Sequence, residues 1–241
     1  MLRKDTFTRH DARSSELSIV NERKIGSGAD ADAYEATIDV EGKQAMMVIK
    51  KFRPDPNFGP EKAAKRIREL VERSLTNYEV LKKNGFKVFT TYRKNEDSTN
   101  ILMTNGTNNE FICLGGLTPG NTSEHQGEVV EDITNFKEVV DIVFSEAERA
   151  AHAGITIPFD TYFFSIDRTT HSKLEYVLGD LEGVRSKGNP GLALLKNVQD
   201  CALALRKINT CCKKGTNHGN FDYLYERSEA TLKAAYDFWD K

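Results

Sequence analysis

Two aspartates set one hairpin's length apart constrain this chain more than any other feature. From residue 153 it reads AGITIPFDTYFFSIDRTTHSKLEYVLGDLEGV, with Asp160 near the start and Asp180 near the end. Phe163, Phe164, Ser165 and Ile166 form one strand-like run, and Leu174, Glu175, Tyr176, Val177 and Leu178 form a second. A polar turn at 168–172 lies between them, and Gly179-Asp180 closes the second run, so the stretch reads as a β-hairpin. A hairpin returns its second end to its first, so Asp160 and Asp180 are expected together. Carboxylates placed in that way can hold Mg²⁺, or divide base and metal duties in phosphoryl transfer. Taken alone, the hairpin is also satisfied by two ordinary turn aspartates, and the first fifty residues decide between the readings.

Residues 1–17 are polar and read as a loose arm without the apolar core of a secretory signal. A strand over 17–25 runs into KIGSGADADAYEATIDVEGKQAMMVIKKF, where Gly26, Ser27 and Gly28 make a G-x-G turn and Ala31 stands where a third glycine would complete G-x-G-x-x-G. Tyr34, Ala36, Ile38 and Val40 then alternate with polar residues, as in a half-buried strand. A turn at 41–43 leads to a third strand, 45–52, which contains Lys50. Glycine without a Cβ lets the backbone approach phosphate oxygens. The glycines lead into a strand, which excludes a Rossmann turn, and no G-K-S/T follows, which excludes a Walker loop.

A helix over 61–84 carries Ile67, Leu70, Val71, Leu75, Tyr78 and Leu81 on one stripe and ends at Gly85. Strands are expected at 86–92 and 100–104, and an irregular Gly-, Thr-, Ser- and Asn-rich connection over 111–131. A second helix over 133–153 has Phe136, Val139, Val140, Val143, Phe144, Ala147 and Ala151 as its stripe and ends at Gly154. Beyond the hairpin the chain is helical, with stripes Leu194, Val198, Cys201, Ala202, Leu205, Ile208, Cys212 and Leu232, Ala235, Tyr236, Trp239. His218 and Asp222 read as loop and helix-start residues, and His10, His125, His152 and His171 lack ligand spacing.

At 39% hydrophobic and 29% charged, the 241 residues have the composition of a globular protein of one large or two small domains. The 34 basic and 36 acidic residues leave a net charge of -2, which points to no nucleic-acid or anionic-membrane partner. No apolar run reaches the roughly 18 residues of a membrane span. Cys113, Cys201, Cys211 and Cys212 form no C-x-x-C pair, which argues against zinc or a disulfide framework and makes a reducing cytoplasm the simplest home.

Taken together, IGSGADADAY, VIKKF, Asp160-x-x-x-x-Ser165 and Asp180-Leu181-Glu182-Gly183 resemble the protein-kinase-like superfamily in order and spacing. The resemblance covers about residues 18–184. It implies an α+β bilobal fold, with an antiparallel β lobe over 18–105, a reduced, mostly helical lobe over 106–241, and a cleft between them for ATP and Mg²⁺. It implies that Gly26, Ser27 and Gly28 cover the phosphates and that Lys50 contacts the α- and β-phosphates, with Lys51 a one-residue alternative. The partner of Lys50 on the helix is Glu72 or Glu69 counting forward, or Asn77 counting back, with Glu72 preferred. Met103 and Asn105 fall where the backbone faces adenine. Asp160 falls at the catalytic base, Asp180 at the main Mg²⁺ ligand, and Ser165 where asparagine usually holds a second metal.

The chain departs from the pattern at four points. Ala31 replaces the third glycine between Asp30 and Asp32, which places negative charge near a triphosphate. Pro158-Phe159-Asp160 replaces H-R-D, Ser165 replaces asparagine, and no A-P-E follows Asp180-Leu181-Glu182. The short segment after Asp180 is closer to small atypical kinases of the RIO or sugar and lipopolysaccharide kinase kind. The expected function is phosphate transfer to a hydroxyl of a protein or small molecule. The alternative is a pseudokinase, a scaffold or regulator that could dock a protein on its second lobe.

Overall fold

The computed structural model describes residues 18–40, 43–93, 99–104, 111–113, 133–167, 169–170, 172–210 and 218–239. The expected N-terminal arm, Asn105, Cys211, Cys212, His10, His125, His171 and most of the 111–131 connection lie outside them, as do the side chains of Cys113, Ala235, Tyr236 and Trp239. The protein is α+β, with a five-stranded antiparallel sheet and, among the described residues, four helices. The chain forms two compact units, Met1–Glu79 with Phe89–Asn105, and Val80–Val88 with Gly106–Lys241.

In the first unit, β1 (Ser18–Ser27), β2 (Ala31–Val40) and β3 (Lys43–Phe52) form a meander, and β5 (Asn100–Thr104) pairs between β3 and β4 (Thr91–Arg93). The sheet buries both faces. On one, Ala36, Ile38, Met47, Ile49, Tyr92 and Leu102 form a cluster. On the other, Ala31, Phe52 and Ile101 pack against Ile67, Leu70 and Val71 of α1 (Pro60–Lys83). This is why 47–49 of β3 read as a continuous apolar run without alternation. Strand β2 begins at Ala31, so Asp32 lies within the ladder, opposite Ser27 and Lys51.

The second unit shows why the two expected helix stops work. Gly85 and Gly154 take φ of +74° and +67°. After Gly85, the Phe86 N–H reaches the Leu81 carbonyl at 3.1 Å and the Gly85 N–H reaches Lys82 at 3.0 Å. After Gly154, Ile155 and Gly154 bond Ala150 and Ala151 in the same pattern at 2.8 Å. Left-handed glycine with this pair of bonds satisfies the last carbonyls of a helix. Because Phe86 is spent on the cap, the strand expected over 86–92 is reduced to Thr91–Arg93, with Val88 making one parallel bridge to Leu178.

Helix α2 (Phe136–His152) buries the full expected stripe and packs against α3 (Pro190–Thr210) and α4 (His218–Trp239). It begins three residues late because both amide atoms of Asn135 are bound at 2.8 Å to the backbone of Leu174. Strands β7 (Tyr162–Asp167) and β8 (Leu174–Leu178) form the expected hairpin. Phe111–Cys113, expected to be irregular, adds as β6 on the outer edge of β7.

Candidate functional site

In the first unit the glycine turn is closed by its own backbone, the Gly28 N–H donating to the Ala31 carbonyl at 2.8 Å. The Gly28 N–H is therefore not turned outward toward a ligand, contrary to the expectation for a phosphate cradle. Neither Gly26 nor Gly28 has positive φ. An added Cβ would meet Ala33 Cβ at 4.0 Å and the Ala31 oxygen at 3.6 Å respectively, which is ordinary contact. The fold itself therefore does not require glycine at either position.

Charged side chains wrap this turn. One oxygen of Asp32, Oδ1, accepts from Ser27 Oγ at 2.5 Å and lies 3.0 Å from Lys24 Nζ and 3.3 Å from Arg53 Nη1. The Ser27 hydroxyl and the two cations hold the Asp32 carboxyl below its ordinary range. Arg53 Nη2 also donates to the carbonyls of Gly28 and Ala29. Arg66 binds Asp30 at 2.9 Å and lies 3.7 Å from Asp55. The acids flanking Ala31 are thus neutralised by the protein's own cations, and the expected field opposing a triphosphate is cancelled.

Lys50 sits near the C-terminal end of β3, paired with Ala33 and Ile101, half-buried, with Nζ 5.4 Å from the Phe52 ring centroid. Strand alternation puts it on the sheet face shared with Phe52, the face that packs against α1. Lys51 points the other way. Its ammonium is 2.7 Å from both oxygens of Glu22 and 4.4 Å from the Tyr34 ring centroid. Lys51, the one-residue alternative, is thus held by Glu22 and Tyr34.

On α1, Glu72 and Glu69 are exposed, Glu69 lying 4.0 Å from Lys65, whereas Asn77 is buried. Met103 packs against the sheet–helix core cluster, as an ordinary core methionine does.

In the second unit the hairpin register pairs Tyr162 with Leu178, which brings the residues just before β7 and just after β8 to one end. Asp160 lies in a 3-10 turn, Phe159–Thr161, and Asp180 two residues beyond β8. Thr161, fully buried, ties the two: its carbonyl accepts from the Gly179 N–H at 2.9 Å and its Oγ1 donates to the Asp180 carbonyl at 3.4 Å. Asp160 is exposed and Asp180 half-buried.

Asp180 also adopts left-handed backbone, φ 50° and ψ 58°. Such a conformation is uncommon for a residue with a side chain and persists only where its surroundings impose it. The surroundings are specific. Thr156 and Arg185 exchange both backbone bonds, at 2.8 and 3.0 Å. A Cβ on Gly183 would lie 2.9 Å from the Pro158 ring, so the chain after Asp180 packs tightly on the chain before Asp160.

The same register removes Ser165 from this end. It pairs with Cys113 on one side and Glu175 on the other, in the middle of the three-stranded sheet. Three residues separate it from Tyr162, about 10 Å of strand. Counting five residues from Asp160 assumes an extended loop, but β7 begins after two. The hairpin therefore does not bring Ser165 beside Asp180.

Asn197 of α3 is the residue that sequence reasoning passed over. Fully buried, it accepts from the Ile157 N–H at 2.7 Å and donates to the carbonyls of Ala147 at 3.1 Å and Ile155 at 2.9 Å. It fixes the segment leading to Asp160 against α2 and α3. Its one signal was a polar side chain one turn from Ala193 and Cys201, on the buried side of a helix.

Mg²⁺ takes oxygen ligands and is commonly held by one or two carboxylates, with water and substrate phosphates completing its shell. Asp160 and Asp180 supply carboxylates at this end of the hairpin. Among the described residues no group of three or more His, Cys, Asp or Glu is gathered that could hold a metal by itself, nor is any helix long and apolar enough to cross a membrane. The chain matches no model of a known protein family, and no curated protein matches it.

Proposed function

We propose that the protein is an ATP- and Mg²⁺-dependent phosphotransferase of protein-kinase-like fold, acting on a hydroxyl of a protein or small molecule in a reducing cytoplasm. The observation that carries the reading is the hairpin end that joins Asp160 and Asp180 through Thr161, with Asp180 held in a left-handed conformation. In this reading Lys50 contacts the α- and β-phosphates and Asp160 orients the accepting hydroxyl and takes its proton. The hydroxyl oxygen bonds the γ-phosphorus as the bond to the β–γ bridging oxygen breaks, and ADP leaves with that electron pair. Mg²⁺ held by Asp180 would neutralise phosphate charge. Gly26 and Gly28, which the fold does not need, fit a requirement for close approach of a ligand.

The thermal midpoint with and without ATP and Mg²⁺ tests this. A nucleotide at a hundred times its dissociation constant adds about 2.7 kcal/mol to stability. The expected result is a shift that needs Mg²⁺ and disappears in Asp180→Asn. No shift with any nucleotide would remove the reading.

The pseudokinase alternative is favoured by one observation, the placement of Ser165 in mid-sheet, which leaves the second-metal position without its expected ligand. It predicts that ATP remains unconsumed, with a raised midpoint for a nucleotide-binding scaffold and an unchanged one for a nucleotide-free scaffold.

A further inference from the structure

Ser27 Oγ, Lys24 Nζ and Arg53 Nη1 all converge on the single oxygen Oδ1 of Asp32, at 2.5, 3.0 and 3.3 Å. A hydroxyl, an ammonium and a guanidinium around one anionic oxygen are the donors that also hold a phosphate oxygen. The accessibilities are uneven in an informative way. The side chains of Lys24 and Arg53 are 48% and 44% exposed, and that of Asp32 is 14% exposed, so the cations face solvent and the acid is the covered member.

The glycine turn has little else with which to hold an anion. The Gly28 N–H is spent on Ala31, and the Gly28 and Ala29 carbonyls already accept from Arg53. The neighbouring cation Arg66 is taken by Asp30, with Asp55 3.7 Å away. Lys24, Ser27 and Arg53 are the side-chain donors that the turn gathers on one oxygen.

On the reading of this turn as a phosphate cradle, we propose that Ser27, Lys24 and Arg53 form a polyphosphate-binding set that Asp32 occupies in the resting protein. The Asp32 carboxylate stands in for a ligand phosphate oxygen, and an incoming polyphosphate must displace it. Displacement is local, because Lys24 and Arg53 are surface side chains that swing without disturbing the β1–β2 ladder. The consequence is a turn that binds polyphosphate more weakly than its donors allow and is released when Asp32 is neutralised or drawn away.

The test is titration of the full chain with inorganic tripolyphosphate in the absence of Mg²⁺. Asp32→Asn keeps an oxygen for Ser27 but removes the competing charge, and is expected to bind roughly five- to tenfold more tightly, the size of one charge contact at a partly exposed site. Arg53→Gln in the Asp32→Asn background should abolish the gain. Asp39→Asn changes net charge equally but lies seven residues along β2, about 24 Å away, and should gain nothing. In the otherwise unaltered chain, Lys24→Gln and Arg53→Gln should each weaken binding, which reads the same set without touching Asp32.

An Asp32→Asn protein that binds no more tightly, an equal gain in Asp39→Asn, or a gain that survives Arg53→Gln would overturn the assignment. If ATP with Mg²⁺ still shifts the midpoint in an Asp180-dependent way while Asp32→Asn gains nothing, the donor set falls and the phosphotransferase reading stands. If tripolyphosphate binding behaves as expected and that shift is absent, the donor set stands and the phosphotransferase reading falls. If neither ligand binds any variant, both fall.

Discussion

The glycine turn and the Asp160–Asp180 hairpin end are held by different kinds of force. Around the turn, beyond the Gly28–Ala31 backbone bond, side chains do the holding: Lys24, Arg53 and Arg66 against Asp30, Asp32 and Asp55, at or near the surface. Around the hairpin end, bonds to the backbone do it: Thr161 with Gly179 and Thr156 with Arg185 through main chain on both sides, and the Asn197 amide with the main chain of Ile155 and Ile157. Exposed ion pairs are individually weak, about 0–1 kcal/mol, and rearrange readily. Buried backbone bonds are costly to leave unmade. One region is thus held by contacts that rearrange at little cost, and the other by bonds that fix the backbone on either side of Asp160 and Asp180.

The largest effect expected from breaking this contrast is at Asn197. Asn197→Ala strands the buried Ile157 N–H and leaves the Ile155 and Ala147 carbonyls with one bond fewer, and should cost about 3–5 kcal/mol. Urea denaturation followed by circular dichroism measures it. Arg53→Gln, which removes more formal contacts but at the surface, should cost less than about 1 kcal/mol. Similar losses in the two variants would erase the distinction between the regions.

A middle-sized effect separates the glycines. Gly154 has positive φ, and a Cβ there would lie 2.8 Å from the Gly188 carbonyl oxygen, so Gly154→Ala should destabilise by about 2–3 kcal/mol. Gly28 has neither constraint, so Gly28→Ala should leave stability within about 0.5 kcal/mol, or raise it slightly by restricting the unfolded chain. If Gly28→Ala keeps the fold and weakens ATP binding, that glycine serves a ligand. If it unfolds the protein, the turn depends on glycine in a way the geometry does not express.

The same contrast explains what could be read from the sequence. Gly85 and Gly154 were legible because each closes an amphipathic stripe, and a left-handed cap is a local requirement. The hairpin was legible because the strand-like runs at 163–166 and 174–178 flank a polar turn. Ser165 was misplaced because residue spacing does not report register, which depends on where β7 begins and on β6 pairing at Cys113. The three-residue strands β4 and β6 carry no period long enough to see. Arg53 and Asn197 each owe their role to partners 21 or more residues away, Asp32 for one and Ile157 for the other, and no local pattern predicts such pairings.

The smallest effect is also the one that separates the regions by sign. Asp32 is held below its ordinary value of 3.8 first by the Ser27 hydroxyl and then by Lys24, with Arg53 adding to it. Its folded form therefore prefers the carboxylate, and the stability it contributes is fully present above the unfolded value and lost as pH falls through the folded one. Asp200 of α3 is raised above 3.8, first by burial, with Lys196 at 3.1 Å opposing the rise. Its Oδ2 is buried without a hydrogen-bond partner, so the folded form prefers the proton. The stability Asp200 contributes is present below the unfolded value and lost as pH rises through the folded one. Asp32→Asn should thus lose stability at neutral pH and converge on the parent in acid. Asp200→Asn should gain stability at neutral pH and also converge in acid. Denaturant midpoints from pH 3 to pH 7 test both, and slopes of the same sign would show that one of the two acids is held by forces other than those assigned to its region.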